Sequence, residues 1–233
     1  MKLLLTSHGL SNNSINNAFS ELIGKKPSDT KVAFIPTAAI CDRGDKYWLI
    51  ENLCQLNDYG YHVDIIEISA LTPHAIEDAL NDSDAIFVSG GNPFYLSYWM
   101  QKKGLFELLP KLLKTKVYAG ISAGSMIAGS SFMLSSKALE YGILEESDYN
   151  DVGPIGEASA KTLNFVNFVF KPHLNSMHHA EERSEKYVRE LAAKTDKVIY
   201  TIDDQSAIKI VDDKIEVISE GEWLILNNDK LSI

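Results

Sequence analysis

The chain has 233 residues, 45% hydrophobic and 23% charged, an ordinary globular balance that supports one large domain or two small ones. A net charge of -10 without any basic patch argues against nucleic acid as a partner. No stretch approaches the roughly 20 apolar residues of a membrane span. The apolar run in MKLLLTSHGL is too short for a signal peptide, so a cytoplasmic location is expected.

Residues 2–7 read as a short apolar strand, and 12–23 as a helix with Ile15, Ala18, Phe19, Leu22 and Ile23 on one face. KVAFIP at 31–36 is a second buried strand. A long helix is expected over 42–56, with Tyr47, Leu49, Ile50, Leu53 and Cys54 on or near its inward face and Gly60 closing it. Residues 61–66 form the third strand. Thr72-Pro73 opens another helix, threonine as N-cap and proline in the first turn. Residues 84–89 are a fourth strand, followed by Gly90-Gly91-Asn92-Pro93. A helix runs from 94 to about 102, and another over 105–113 is broken or bent at Pro110.

Residues 116–131, KVYAGISAGSMIAGSS, pass from an apolar run through Gly120-Ile121-Ser122-Ala123-Gly124 into small and apolar residues at helical spacing. G-x-S-x-G between a strand and a helix is the nucleophile-elbow pattern. Its apical residue is strained, and its glycines pass where a Cβ would clash. The alternation of near-continuous apolar strands with helices implies an α/β fold, a largely parallel sheet covered by helices on both faces. Ligands on such sheets bind at the carboxyl ends of the strands, where Gly90-Gly91 and Ser122 both fall.

Residues 132–161 read as an irregular excursion with several acidic residues. Residues 165–170 are apolar again and lead into Lys171-Pro172-His173; 180–194 is a charged amphipathic helix. The end of the chain is β-rich, with short strands at 198–202, 206–211, 214–219 and 223–226. One domain, 1–233, is the simplest reading. Cys41 and Cys54 fit no disulfide framework and no zinc-site spacing.

A serine hydroxyl needs a base, and the base needs a group that holds its tautomer. Among six histidines, His173 ends an apolar strand in a corner leading to the catalytic face, and His8 follows the first strand toward the same face. The strand at 198–202 delivers Asp203-Asp204. Successive strand residues face opposite ways, so at most one points at His173, and spacing does not choose between them. The other caps a turn or faces solvent. An oxyanion would take one N–H from Ala123 and one from Gly90 or Gly91.

At these residues the chain resembles the dipeptidase E and cyanophycinase family of serine peptidases, itself similar in fold to the class I glutamine amidotransferases. The matching pieces are SGGNPFYL at 89–96, YAGISAGSMIAG at 118–129, KPH at 171–173 and YTIDDQSAIKI at 200–210, in the family's order and spacing. The resemblance covers the chain from 2 to about 211. It implies Ser122 as nucleophile, His173 as base and Asp204 as the third-member acid, with the Gly-Gly-Asn loop in the oxyanion hole. The order Ser…His…Asp differs from that of ordinary α/β-hydrolases, whose acid precedes the histidine. Where aspartyl dipeptidases carry a Thr-Asn-Asp-type stretch, this chain has SSKALEYGILEESD at 135–148, so a preference for Asp-X dipeptides is not implied.

The expectation is a serine hydrolase cleaving an amide bond in a small peptide through an acyl-enzyme, needing no metal or organic cofactor, as a monomer or a dimer. The competing expectation is a non-catalytic amidotransferase-like module that binds a small ligand or a partner protein.

Overall fold

In a computed structural model, which describes residues 1–41, 43–132, 161–178 and 180–228, the apolar runs pair into two sheets. The larger contains β1 (Lys2–Thr6), β2 (Lys31–Ile35), β3 (His62–Ile65), β4 (Ala85–Val88), β5 (Val117–Ile121), β8 (Ser206–Val211) and β9 (Lys214–Ser219), in the order β3-β2-β4-β5-β1-β8-β9. The five strands from β3 to β1 are parallel. β8 pairs antiparallel with β1, and β9 with β8. The smaller sheet has the order β10-β7-β6 and joins β6 (Val169–Lys171), β7 (Ile199–Ile202) and β10 (Trp223–Leu226). The β-rich end of the chain thus divides between the two sheets.

The central strands β4 and β5 are buried at every position, and β1 and β2 at all but their first, because both faces of the large sheet are covered. On one face Leu3, Leu5, Ile86, Val88 and Tyr118 pack under α4 (Pro73–Asn81), α5 (Pro93–Lys102) and α6 (Leu105–Leu112), and under Phe168, Phe170, Tyr200 and Ile202 of the small-sheet region. On the other, Leu4, Phe34, Phe87 and Ala119 pack under α1 (Asn13–Ile23) and α3 (Tyr47–Asp58). The outer face of the small sheet buries Val169 and Ile199 against Val188 and Ala192 of α9 (Glu185–Ala192).

Local signals set several helix ends. Asn12 Oδ1 accepts the Ile15 N–H, Thr72 Oγ1 accepts the Ala75 N–H, and Asn92 Oδ1 accepts the Phe94 and Tyr95 N–H groups. Pro110 does not break α6. It lies on the exposed side, where water can serve the Phe106 carbonyl left without a donor.

Four expectations need correction. The helix expected from residue 42 begins at Tyr47, after a short helix α2 (Thr37–Ile40), where Asp45 Oδ1 accepts the Tyr47 N–H in a turn just ahead of it. Its inward residues are Leu49, Asn52, Leu53 and Leu56, whereas Tyr47, Ile50 and Cys54 are exposed. The helix is turned by a long-range contact: Asn52 Nδ2 donates to the His8 carbonyl at 3.2 Å. The helix after the elbow, α7 (Ala123–Met126), has one turn. It stops because the Ile127 carbonyl accepts the Leu163 N–H and the Ala128 carbonyl accepts those of Phe165 and Val166. The charged helix divides into α8 (Ala180–Arg183) and α9, since Ser184 Oγ accepts the Tyr187 N–H and starts a new helix. Most of the excursion expected at 132–161 lies outside the described residues.

Candidate active site

Ser122 sits on the turn from β5 into α7 with φ 46 and ψ -105, a conformation that non-glycine residues rarely adopt. The two glycines of the motif make that turn possible. A Cβ on Gly124 would lie 2.2 Å from the Val88 carbonyl oxygen, and one on Gly120 would lie 2.6 Å from Gly124 backbone. The elbow is clasped to the end of β1. The Thr6 carbonyl accepts the Ser122 N–H at 2.9 Å and the Ser125 Oγ–H at 2.8 Å, and Ser125 Oγ accepts the Thr6 N–H at 2.9 Å. The buried Tyr118 hydroxyl donates to the Gly124 carbonyl at 2.6 Å.

The small sheet brings in two more side chains. β6 and β7 run parallel with Lys171 opposite Thr201, so the residues just past each strand emerge side by side. His173 Nε2 lies 2.9 Å from Ser122 Oγ, and its Nδ1 lies 2.6 Å from Asp204 Oδ1. The ring is largely covered, its side chain 16% exposed. Burial pushes the His173 imidazole below its ordinary pKa, opposed by the hydrogen bond and charge of Asp204. Burial alone would push the Asp204 carboxyl up, but His173, and more weakly His8 and Arg183, hold it below the usual carboxylate range. Asp203 is turned away. Its Oδ1 accepts the Gln205 N–H and the Ser206 hydroxyl, and its Oδ2 accepts the Glu222 N–H.

The Gly-Gly loop follows β4, the strand beside β5. Gly91 has φ 126, and a Cβ there would lie 2.2 Å from the Ala38 carbonyl oxygen, so only glycine fits. Gly90 packs against the serine: a Cβ on it would stand 3.3 Å from Ser122 Cβ and 3.7 Å from the Trp48 ring. Ala123 opens α7, so its N–H has no intrahelical acceptor. Among the described residues no main-chain acceptor takes the Gly91 N–H either.

The structure therefore gathers Ser122, His173, Asp204, Gly90, Gly91 and Ala123 at one end of the large sheet. His8 is nearby, its Nε2 3.1 Å from Glu51 Oε2, and does not reach the serine as a hydrogen-bond partner. The acidic residues of the excursion (145, 146, 148 and 151), the other carboxylates that could orient a histidine, lie outside the described residues. Sequence reading passed over Ser7 and Arg183. Ser7 looked like the last residue of a strand, and Arg183 like one charge among many on an exposed helix. Among the described residues no group of three or more His, Cys, Asp or Glu side chains is disposed to hold a metal ion, and no helix is long and apolar enough to cross a membrane.

The model of peptidase family S51 matches residues 3–218. A peptidase E of Shewanella oneidensis is 29% identical over 164 residues, 67% of this chain and 60% of that protein, so the match spans less than two thirds of its length. A peptidase E of Actinobacillus pleuropneumoniae serotype 7 is 26% identical over 200 residues, 83% of this chain and 77% of that protein. A solved structure of a protein assigned as a peptidase E from Listeria monocytogenes EGD-e superposes with a TM-score of 0.74 at 23% identity, covering 94% of this chain and 98% of the other. A peptidase from an acI-B1 actinobacterium gives 0.60 at 19% identity, with 97% and 93% covered. These structures share the fold, a mixed α/β arrangement around a mostly parallel sheet. Matched by the family model over nearly its whole length, the chain belongs to peptidase family S51.

Proposed function

We propose that the protein hydrolyses an amide bond in a small peptide through an acyl-enzyme, with Ser122 as nucleophile, His173 as general base and acid, and Asp204 orienting the imidazole. The observation that carries this reading is the two-sided contact of His173, 2.9 Å to Ser122 Oγ and 2.6 Å to Asp204 Oδ1. Ser122 Oγ attacks the scissile carbonyl carbon while its proton passes to His173 Nε2. Asp204 holds the Nδ1–H tautomer and stabilises the imidazolium. The carbonyl oxygen becomes an oxyanion held by the Ala123 N–H and by the Gly91 N–H, with Gly90 keeping that loop against the serine. His173 returns the proton to the leaving amine, the C–N bond breaks, and the acyl group remains on Ser122. Water deprotonated by His173 then cleaves the ester and restores the serine.

The competing reading, a non-catalytic module that binds a ligand, finds no support in a largely buried imidazole bonded to a carboxylate on one side and to a strained serine on the other. A fluorophosphonate probe separates the two. The wild type should be labelled at Ser122 and Ser122→Ala should not. Labelling of neither protein, together with no amine released from a panel of dipeptides and short peptides, would favour the binding module.

A further inference from the structure

The last residue of β1 and the residue after it touch the backbone of two members of the proposed triad, Ser122 and His173. Thr6 holds the elbow, as described above. Ser7 has no exposed surface, and its hydroxyl is used in both directions. It accepts the His173 main-chain N–H at 3.0 Å and donates to the Ile202 carbonyl at 3.0 Å. That same carbonyl accepts the Leu174 N–H at 2.9 Å. Ile202 ends β7, two residues before Asp204, and the Asp204 carbonyl is itself tied by Ser11 Oγ at 2.6 Å. One hydroxyl on the large sheet therefore fastens both corners of the small sheet, the one carrying the base and the one carrying the acid.

His173 needs such a fastening. It has φ 63, a left-handed conformation that an imidazole-bearing residue holds only when its surroundings impose it. The elbow belongs to the large sheet, and His173 and Asp204 belong to the small one. Packing of the small sheet on the large one holds them together, and the Ser7 hydroxyl is the polar tie made at the His173 backbone itself, where the 2.9 Å spacing of His173 Nε2 from Ser122 Oγ is set.

We propose that Ser7 is a positioning residue of the active site, its hydroxyl holding the His173 corner and the end of β7 in register with the nucleophile. The inference rests on the triad reading given above. Ser7 touches no reacting atom; it acts through the His173 backbone, and a misplacement of about 1 Å costs on the order of 10²-fold in rate.

The test compares wild type, Ser7→Ala and Ser7→Cys. The second-order rate of fluorophosphonate labelling is divided by the number of sites labelled at completion, so that loss of folded protein does not count as loss of reactivity. The His173 Nδ1 proton, far downfield when bonded to a carboxylate, is read by NMR without any probe. Ser7→Ala should reach full labelling about a hundred times more slowly, with the downfield proton broadened or lost. Labelling at the wild-type rate with that proton intact would overturn the proposal. If Ser7→Ala does not fold, Ser7→Cys fills the same space with a weak hydrogen-bonding group, and a wild-type rate in it would overturn the proposal equally. A wild type that resists the probe speaks against the triad reading. In that case the downfield proton still decides for Ser7, since its persistence in Ser7→Ala overturns the positioning role.

Discussion

Asp203 Oδ2 accepts the Glu222 N–H at 2.7 Å, so the first acid of the adjacent pair faces the connection between β9 and β10 while the second faces His173. Neighbouring carboxylates thus have separate duties, and each duty has its own signature. Asp204→Asn keeps the shape but favours the wrong imidazole tautomer, and should lower kcat on the order of 10⁴, the loss that amide replacement of the acid causes in the trypsin triad. Asp203→Asn has one carbonyl oxygen where three donors now meet two carboxylate oxygens. It should cost about 1–3 kcal/mol of stability, with the rate per labelled site within roughly tenfold of wild type. Thermal melts beside labelling rates check both. A stable, inactive Asp203→Asn would reverse the assignment.

His173→Ala should lower kcat by roughly three orders of magnitude or more and remain folded. His8→Ala should stay within about tenfold, since His8 bonds Glu51 and not Ser122. Amine release from a peptide panel measures both. Activity that survives His173→Ala and vanishes in His8→Ala would move the base to His8.

The pH dependence follows from the imidazole. His173 must be neutral to accept the Ser122 proton, and its pKa lies below the ordinary value of about 6.5 because burial outweighs the pull of Asp204. The rate of labelling should therefore rise with pH and level off, with its midpoint below about 6.5. Asp204 raises that pKa, so Asp204→Asn should move the midpoint further down. His8 lowers it, so His8→Ala should move the midpoint up. A wild-type midpoint above 7 would contradict the burial of the ring.

Gly124→Ala tests the elbow. The new methyl would lie 2.2 Å from the Val88 carbonyl oxygen, so either the elbow or β4 must move, and labelling should fall by about 10²-fold or more. Gly24→Ala is the control. It has φ 77 with nothing within 4 Å of a new Cβ, so it should cost about 1–2 kcal/mol from the left-handed backbone alone and leave the labelling rate unchanged. Equal labelling rates in the two variants would remove the steric argument.

The sequence by itself determined the elements whose causes are local. The apolar runs at β1, β2, β4 and β5 mark strands buried on two faces, and the cap at Thr72 marks a helix start. The spacing of Gly120, Ser122 and Gly124 was legible because close backbone contact leaves its imprint in residue type. Tertiary structure decided what depends on partners far along the chain. The exposed and buried sides of α3 follow from Asn52 reaching His8, and the end of α7 from carbonyls captured by residues 163–166. The choice of Asp204 over Asp203 at His173 came in the sequence only through family resemblance; in the structure it follows from the pairing of β6 with β7 and from the donors that claim Asp203. Ser7 carried no local signal at all. Its two partners lie 166 and 195 residues away, and their meeting is set by how the small sheet packs on the large one, which no periodicity within either segment encodes.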